Sequence, residues 1–259
     1  EQLARLDGVE AVQQDRRNHL RLRSSAAVVG AAGVAGLAAA GAGQAVAVLD
    51  TGVDAQHPFL GGRVVAEACF STTAPAQGAT AVCARGDTGA GAGAPCSGLG
   101  DCGHGTHVAG IVAGADGTSA GIAPAAKIIA IQVFSRGDGA AACGETSPCI
   151  FAFDSDIIAG LDRIYALRHA FDIAAVNLSL GGEPAASIAR CEYRNPAYAR
   201  AVSRLREAGI AVVAASGNES LPWALAAPAC LPEVVAVGAT DDADRVVGFS
   251  NSASWLDYL

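Results

Sequence analysis

From residue 45 onward, short apolar runs alternate with segments of helical periodicity, and this alternation limits the fold more than any other feature of the chain. Residues 45–49, 128–134, 173–178, 210–215 and 234–237 read as strands, and residues 104–113, 156–170 and 196–208 as helices. Apart from Gln132 and Asn177 the strands are apolar at successive residues instead of every second one, as expected when both faces of a sheet are covered. Strands that alternate with helices in this way predict an α/β domain with a doubly wound parallel sheet. At the last of these helices, Asn195 is placed to cap the segment that Pro196 opens, and Gly209 to close it in a left-handed conformation. Residues 73–103 are dense in Gly, Ala, Ser and Thr and carry Cys83, Cys96 and Cys102, so they read as a long surface loop pinned by disulfides.

The chain has 259 residues, enough for one substantial core and too few to require two. Its net charge of −8 argues against a nucleic-acid or anionic-membrane partner, and the only basic cluster is Arg16, Arg17, Arg21 and Arg23. The apolar stretch at residues 26–42 is interrupted by glycines throughout and reads as a connector, not a membrane span. The eight cysteines form no pair of CxxC motifs, which fits an oxidised, extracellular protein. Two pairings are favoured. Cys143 and Cys149 close a short loop, and Cys191 and Cys230 flank one predicted helix and strand.

The residues with chemical potential lie at the ends of these elements. Asp50 ends the apolar strand in VAVLDTGVD, which puts a carboxylate at the carboxyl edge of a buried parallel sheet, where open α/β sheets build their sites. His104 stands between Gly103 and Gly105 in GHGTHVAGIVAG, at the start of a helix, where small neighbours leave the imidazole approachable. If Asp50 accepts a hydrogen bond from one ring nitrogen, the other becomes the acceptor that a general base needs. Asn218, in AASGNES, offers a side-chain amide.

Taken together, these segments resemble the subtilase family of serine endopeptidases, and the likeness extends over nearly the whole chain. VAVLDTGVD resembles that family's Asp motif and GHGTHVAGIVAG its His motif, in the family's order. The resemblance implies a subtilisin-like fold, Asp50 as the triad acid, His104 as the base and Asn218 as an oxyanion donor. It also implies that Ser179, Leu180 and Gly181 bond the substrate backbone, while Ala215, Ser216 and Gly217 line the primary specificity pocket. Residues 1–23 resemble the end of an inhibitory propeptide, with cleavage expected between Leu22 and Val29, and residues 24–259 a partial catalytic domain. The implied protein is secreted and monomeric when complete. Its partners are polypeptide substrates and its own propeptide, with no membrane involved. It needs no cofactor for the chemistry. Structural calcium is usual in the family, with Asp54, Asp87 and Asp101 as candidate oxygens, although their spacing identifies no metal site.

The family's nucleophile follows the Asn in a Gly-Thr-Ser-Met-Ala motif, and no such motif follows Asn218 here. The Gly117-Thr118-Ser119 sequence lies upstream of Asn218 and reads as a surface turn. The serine is therefore expected beyond Leu259, and a fold without its later elements is expected to expose an apolar face. Three other readings compete. A subtilase fragment or pseudoenzyme would bind peptide without turnover. A zinc site would draw on Cys96, Cys102, His104 and His107. A dinucleotide-binding oxidoreductase would use Gly30, Gly33 and Gly36, but their GxxGxxG spacing departs from the fingerprint that function requires.

Overall fold

The computed structural model describes residues 40–259. The propeptide-like stretch and the glycines at 30, 33 and 36 lie outside the described residues.

Six parallel strands form the central sheet. These are β1 (Gln44–Asp50), β2 (Val64–Cys69), β4 (Lys127–Gln132), β7 (Asp172–Leu178), β9 (Ala211–Ala215) and β11 (Val235–Val237), in the spatial order β11-β9-β7-β1-β4-β2. The chain builds outward from β1 to one side through β2 and β4, then to the other through β7, β9 and β11. The strand order therefore reverses at β1, and a crevice opens at the carboxyl ends of β1 and β7. The fold class expected from the alternation is the one observed.

Side-chain alternation along β1 divides the core in two. Ala45, Ala47 and Leu49 point into the larger cluster with Ile129, Ile131, Val176 and Leu178, while Val48 points into the smaller one with Ile128 and Ala130. The larger cluster is sealed by α3 (Asp154–Leu167) and α5 (Pro196–Glu207), and the smaller by α1 (His104–Ala113). Helix α5 buries Tyr198, Ala201, Val202 and Leu205, the i, i+3, i+4, i+7 set that makes one apolar stripe. On the α1 side the cover stops short. Ala175 and Asn177 of β7, Val213 and Ala215 of β9, and Val235 and Val237 of β11 are only half-buried. Among the described residues this half of the sheet face is only partly covered.

Two smaller sheets flank the large one. Strands β3 (Ala79–Ala81), β5 (Phe134–Gly137) and β6 (Cys149–Ala152) pair antiparallel in the order β3-β5-β6, with the one-turn helix α2 (Ala140–Cys143) between β5 and β6, and β8 (Pro184–Ala185) pairs with β10 (Leu225–Ala226). The strand expected at residues 128–134 is in fact two strands. Gln132 is fully buried and uses its side chain as a joint: Nε2 donates to Thr51 O at 2.6 Å, and Oε1 accepts from Phe134 N at 2.6 Å. The chain leaves the large sheet there and enters the small one.

Other boundaries differ for equally local reasons. Helix α3 begins two residues earlier than expected and stops at Leu167. Asn195 stands at the start of α5 but does not cap it; its Nδ2 donates back to Cys191 O at 2.8 Å, in the short helix α4 (Ile188–Arg194). Gly209 is left-handed as expected. Residues 73–103 contain β3, so they are not purely loop. The disulfides are Cys69–Cys83, Cys96–Cys102, Cys143–Cys149 and Cys191–Cys230, which include both favoured pairs, although Cys191 lies within α4, not in a loop. Near the end of the chain, Tyr258 lies parallel to Val237, and Gly238 N donates to Tyr258 O at 2.8 Å, so the tail adds to the free edge of β11.

Candidate active site

Asp50 is the last residue of β1 and is completely buried. Its Oδ1 lies 2.7 Å from Thr51 N and 2.8 Å from His104 Nδ1. A carboxylate only accepts, so the Nδ1 proton points to Asp50 and Nε2 is the acceptor nitrogen of the ring. The imidazole itself is half-exposed. Its pKa is raised above the ordinary 6.5, chiefly by the hydrogen bond to Asp50; partial burial opposes this, and the charges of Asp50 and Asp101 add to it.

The pair is held by contacts that sequence reading missed. Thr51 Oγ1 donates to Cys102 O at 3.1 Å and accepts from Gly105 N at 3.0 Å, tying the end of β1 to the first turn of α1. A side chain at position 105 would overlap Gly52 O and lie 2.9 Å from Asp50 Cβ, so the helix approaches the acid only because residue 105 is glycine. The Cys96–Cys102 bridge closes the turn that leads into His104. Both thiols are consumed in it, which removes them as zinc ligands. Thr51 was legible only as a hydroxyl beside an acid.

The remaining candidates fall into two cavities. Ser179, Ala215, Ser216, Gly217 and Asn218 meet in one of about 230 Å³, at the carboxyl ends of β7 and β9, with Asn218 exposed. Leu180 and Gly181 instead line a second cavity of about 280 Å³, which they share with Ile150, Phe151 and Ala152 of β6 and with Tyr198. Strand β6 is an edge strand, so its outer hydrogen-bonding groups face this gap. A larger cavity of about 440 Å³, lined by Asp54, His57, Phe59 and His107, touches neither Asp50 nor His104. Its size does not make it the site of chemistry.

Among the described residues no serine hydroxyl is hydrogen-bonded to His104. Ser119 lies in a turn whose backbone N–H donates to Asp116 Oδ1 at 2.7 Å. No three of His, Cys, Asp and Glu converge as metal ligands among the described residues. Asp54 and Asp87 instead close their own turns, accepting from Gln56 N and Gly89 N, each at 2.9 Å. They do not converge with Asp101. No helix among the described residues is long and apolar enough to cross a membrane.

Comparison with known proteins places this geometry in context. The chain is similar to the thermophilic serine proteinase of Bacillus sp. (strain AK1), 31% identical over 220 residues that make up 84% of this chain and 43% of that protein. It is similar to subtilisin E of Bacillus subtilis (strain 168), 30% identical over 83% of this chain and 45% of that one. Among solved structures, a cold-adapted subtilisin-like serine proteinase superposes with a TM-score of 0.56 at 26% identity, covering 84% of this chain and 62% of that chain. The chain thus spans less than half the length of these two curated relatives. The family profile of the subtilases, peptidase family S8, matches residues 41–257. This chain belongs to the subtilase family.

Proposed function

We propose that the chain carries the acid, the base, the oxyanion donor and the peptide groove of a secreted serine endopeptidase that cleaves extended polypeptides. The nucleophilic serine is supplied from sequence beyond Leu259. The observation that carries this reading is the 2.8 Å contact between His104 Nδ1 and Asp50 Oδ1, made by a buried acid and a half-exposed base.

The reaction follows from that pairing. Asp50 fixes the ring and its tautomer, and Nε2 of His104 takes the serine proton as the oxygen attacks the scissile carbonyl. The oxyanion of the tetrahedral intermediate accepts a hydrogen bond from the Asn218 amide. His104, now protonated, returns its proton to the leaving amine, and water later releases the acyl group by the same steps in reverse. The substrate lies extended along Ser179, Leu180 and Gly181, with the edge of β6 across the gap; backbone hydrogen bonds of this kind hold many sequences. Ala215, Ser216 and Gly217 wall the pocket for the residue before the scissile bond. No step needs a cofactor. A calcium ion would only brace surface loops, with ligands beyond the three aspartates named above. Four disulfides accord with an extracellular site of action.

The test is made on the full-length protein, with a chromogenic peptide substrate and a fluorophosphonate that labels activated serines. Asp50→Asn should lower kcat by about 10⁴-fold, Asn218→Ala by about 10²–10³-fold, and His104→Ala should abolish labelling. If the full-length protein binds peptide but neither hydrolyses it nor takes the label, the chain belongs to a peptide-binding relative without turnover.

A further inference from the structure

Asn218 sits in a short loop whose two sides are held by one residue distant in sequence. Asn251 is completely buried. Its backbone N–H donates to Gly217 O at 2.9 Å, on one side of Asn218. On the other side its side-chain Oδ1 accepts from Glu219 N at 3.1 Å and from Leu221 N at 3.0 Å, while Nδ2 donates to the Glu219 carboxylate. Its carbonyl also accepts from Ser216 Oγ at 2.9 Å. One asparagine thus fixes the chain before and after the oxyanion donor, and every polar atom of its side chain is used.

Two backbone features show how closely the loop is fitted to this residue. Gly217 has φ +111°, and a side chain there would overlap Asn251 Nδ2, so the amide closes on the loop only over a glycine. Ser220 has φ 60°, a left-handed value that costs a residue with a side chain on the order of 1 kcal/mol or more. The amides on either side of Ser220, those of Glu219 and Leu221, are the two that Asn251 Oδ1 receives. The clamp offsets the strain that the loop carries.

We propose that Asn251 is a positioning residue for catalysis, holding the Asn218 amide where the oxyanion forms. The inference rests on the oxyanion role of Asn218 given above. A donor aimed at charge that appears only in the transition state acts on kcat more than on KM, and a displacement of about 1 Å can cost as much as 10²-fold.

The experiment is a mutant cycle on the full-length protein with a peptide substrate, rates being expressed per active site by titration so that unfolded protein does not count. Asn251→Ala should lower kcat by about 10- to 100-fold with little change in KM. In an Asn218→Ala background the same change should add less than about threefold, because the donor it positions is gone. A second pair of variants removes dependence on a truncation. Asn251→Asp keeps Oδ1 but sets a carboxylate against Glu219 and should slow the enzyme; adding Glu219→Gln restores a donor–acceptor pair of reversed sense and should recover kcat to within about threefold. Losses from Asn251→Ala and Asn218→Ala that multiply would overturn the inference, as would a swap that folds without recovering kcat. If Asn218→Ala leaves kcat unchanged, it is the oxyanion reading that fails.

Discussion

Among the described residues, the two faces of the central sheet are covered to different degrees. On one, α3 and α5 pack into an apolar layer that draws residues from all six strands, and Leu161, Ile164, Val202 and Leu205 are essentially inaccessible. On the other, α1 covers β1 and β4, while Val213, Ala215, Val235 and Val237 stay half-buried. The more covered face contributes stability: each large side chain fully buried there is worth roughly 1.5–3 kcal/mol. The less covered face carries the candidate site. His104 stands at the start of the one helix that covers it, and Asn218 at the end of one of its open strands. The contacts that hold Asp50 against His104 come from β1, α1 and the turn between residues 96 and 103, so the pair forms beside strands that are less fully covered.

The largest effect that could sharpen this contrast is expected at His104. His104→Ala in the full-length protein should lower kcat by roughly 10⁶-fold, the scale of losing a base that acts as one unit with its nucleophile, while moving the urea midpoint little. A comparable loss of stability would mean that the site and the fold are not separable. On the covered face, Leu161→Ala should cost about 2–5 kcal/mol in urea unfolding without changing the activity of folded molecules. Val213→Ala, on the open half, should cost less than about 1 kcal/mol in this chain. It should cost more in a longer protein that packs further sequence there; equal costs at Leu161 and Val213 in this chain would break the contrast.

The smallest effect is a pH dependence. Because His104 titrates above 6.5, the acid limb of kcat/KM should fall above that value, and it should move down in Asp50→Asn when the hydrogen bond that raises it weakens. For stability the sign is opposite to that for activity. A raised folded pKa means that the pair's contribution is fully present below the unfolded imidazole value and is lost as pH rises through the folded one. Stability measured from pH 5 to 9 should show this decline, and His104→Ala should remove it; a variant with the same decline would assign it to other groups.

What could be read from the sequence was local. Asp50 at a strand end and His104 between two glycines announce themselves within a few residues, and the helix at 196–208 shows its stripe and its proline directly. What could not be read depends on partners far along the chain. Nothing near Gln132 says that its amide will bind Thr51 and divide one apolar run into two strands of different sheets. Nothing in FSNSAS singles out Asn251 from its serine neighbours, because its value lies in meeting Gly217, Glu219 and Leu221, some thirty residues earlier. Asn195 misled for the same reason: a residue suited to capping found a carbonyl in the preceding helix first.

The joint at Gln132 separates a buried strand, β4, from a more exposed one, β5. On one side of it lie Asp50 and the buried sheet. On the other, the hairpin of β5 and β6 is closed by its own disulfide, Cys143–Cys149, and presents Ile150 and Phe151 to the cavity shared with Leu180 and Gly181. Under the proposed function, substitutions at Ile150 and Phe151 should change which peptides fit while leaving the contact between His104 and Asp50 in place.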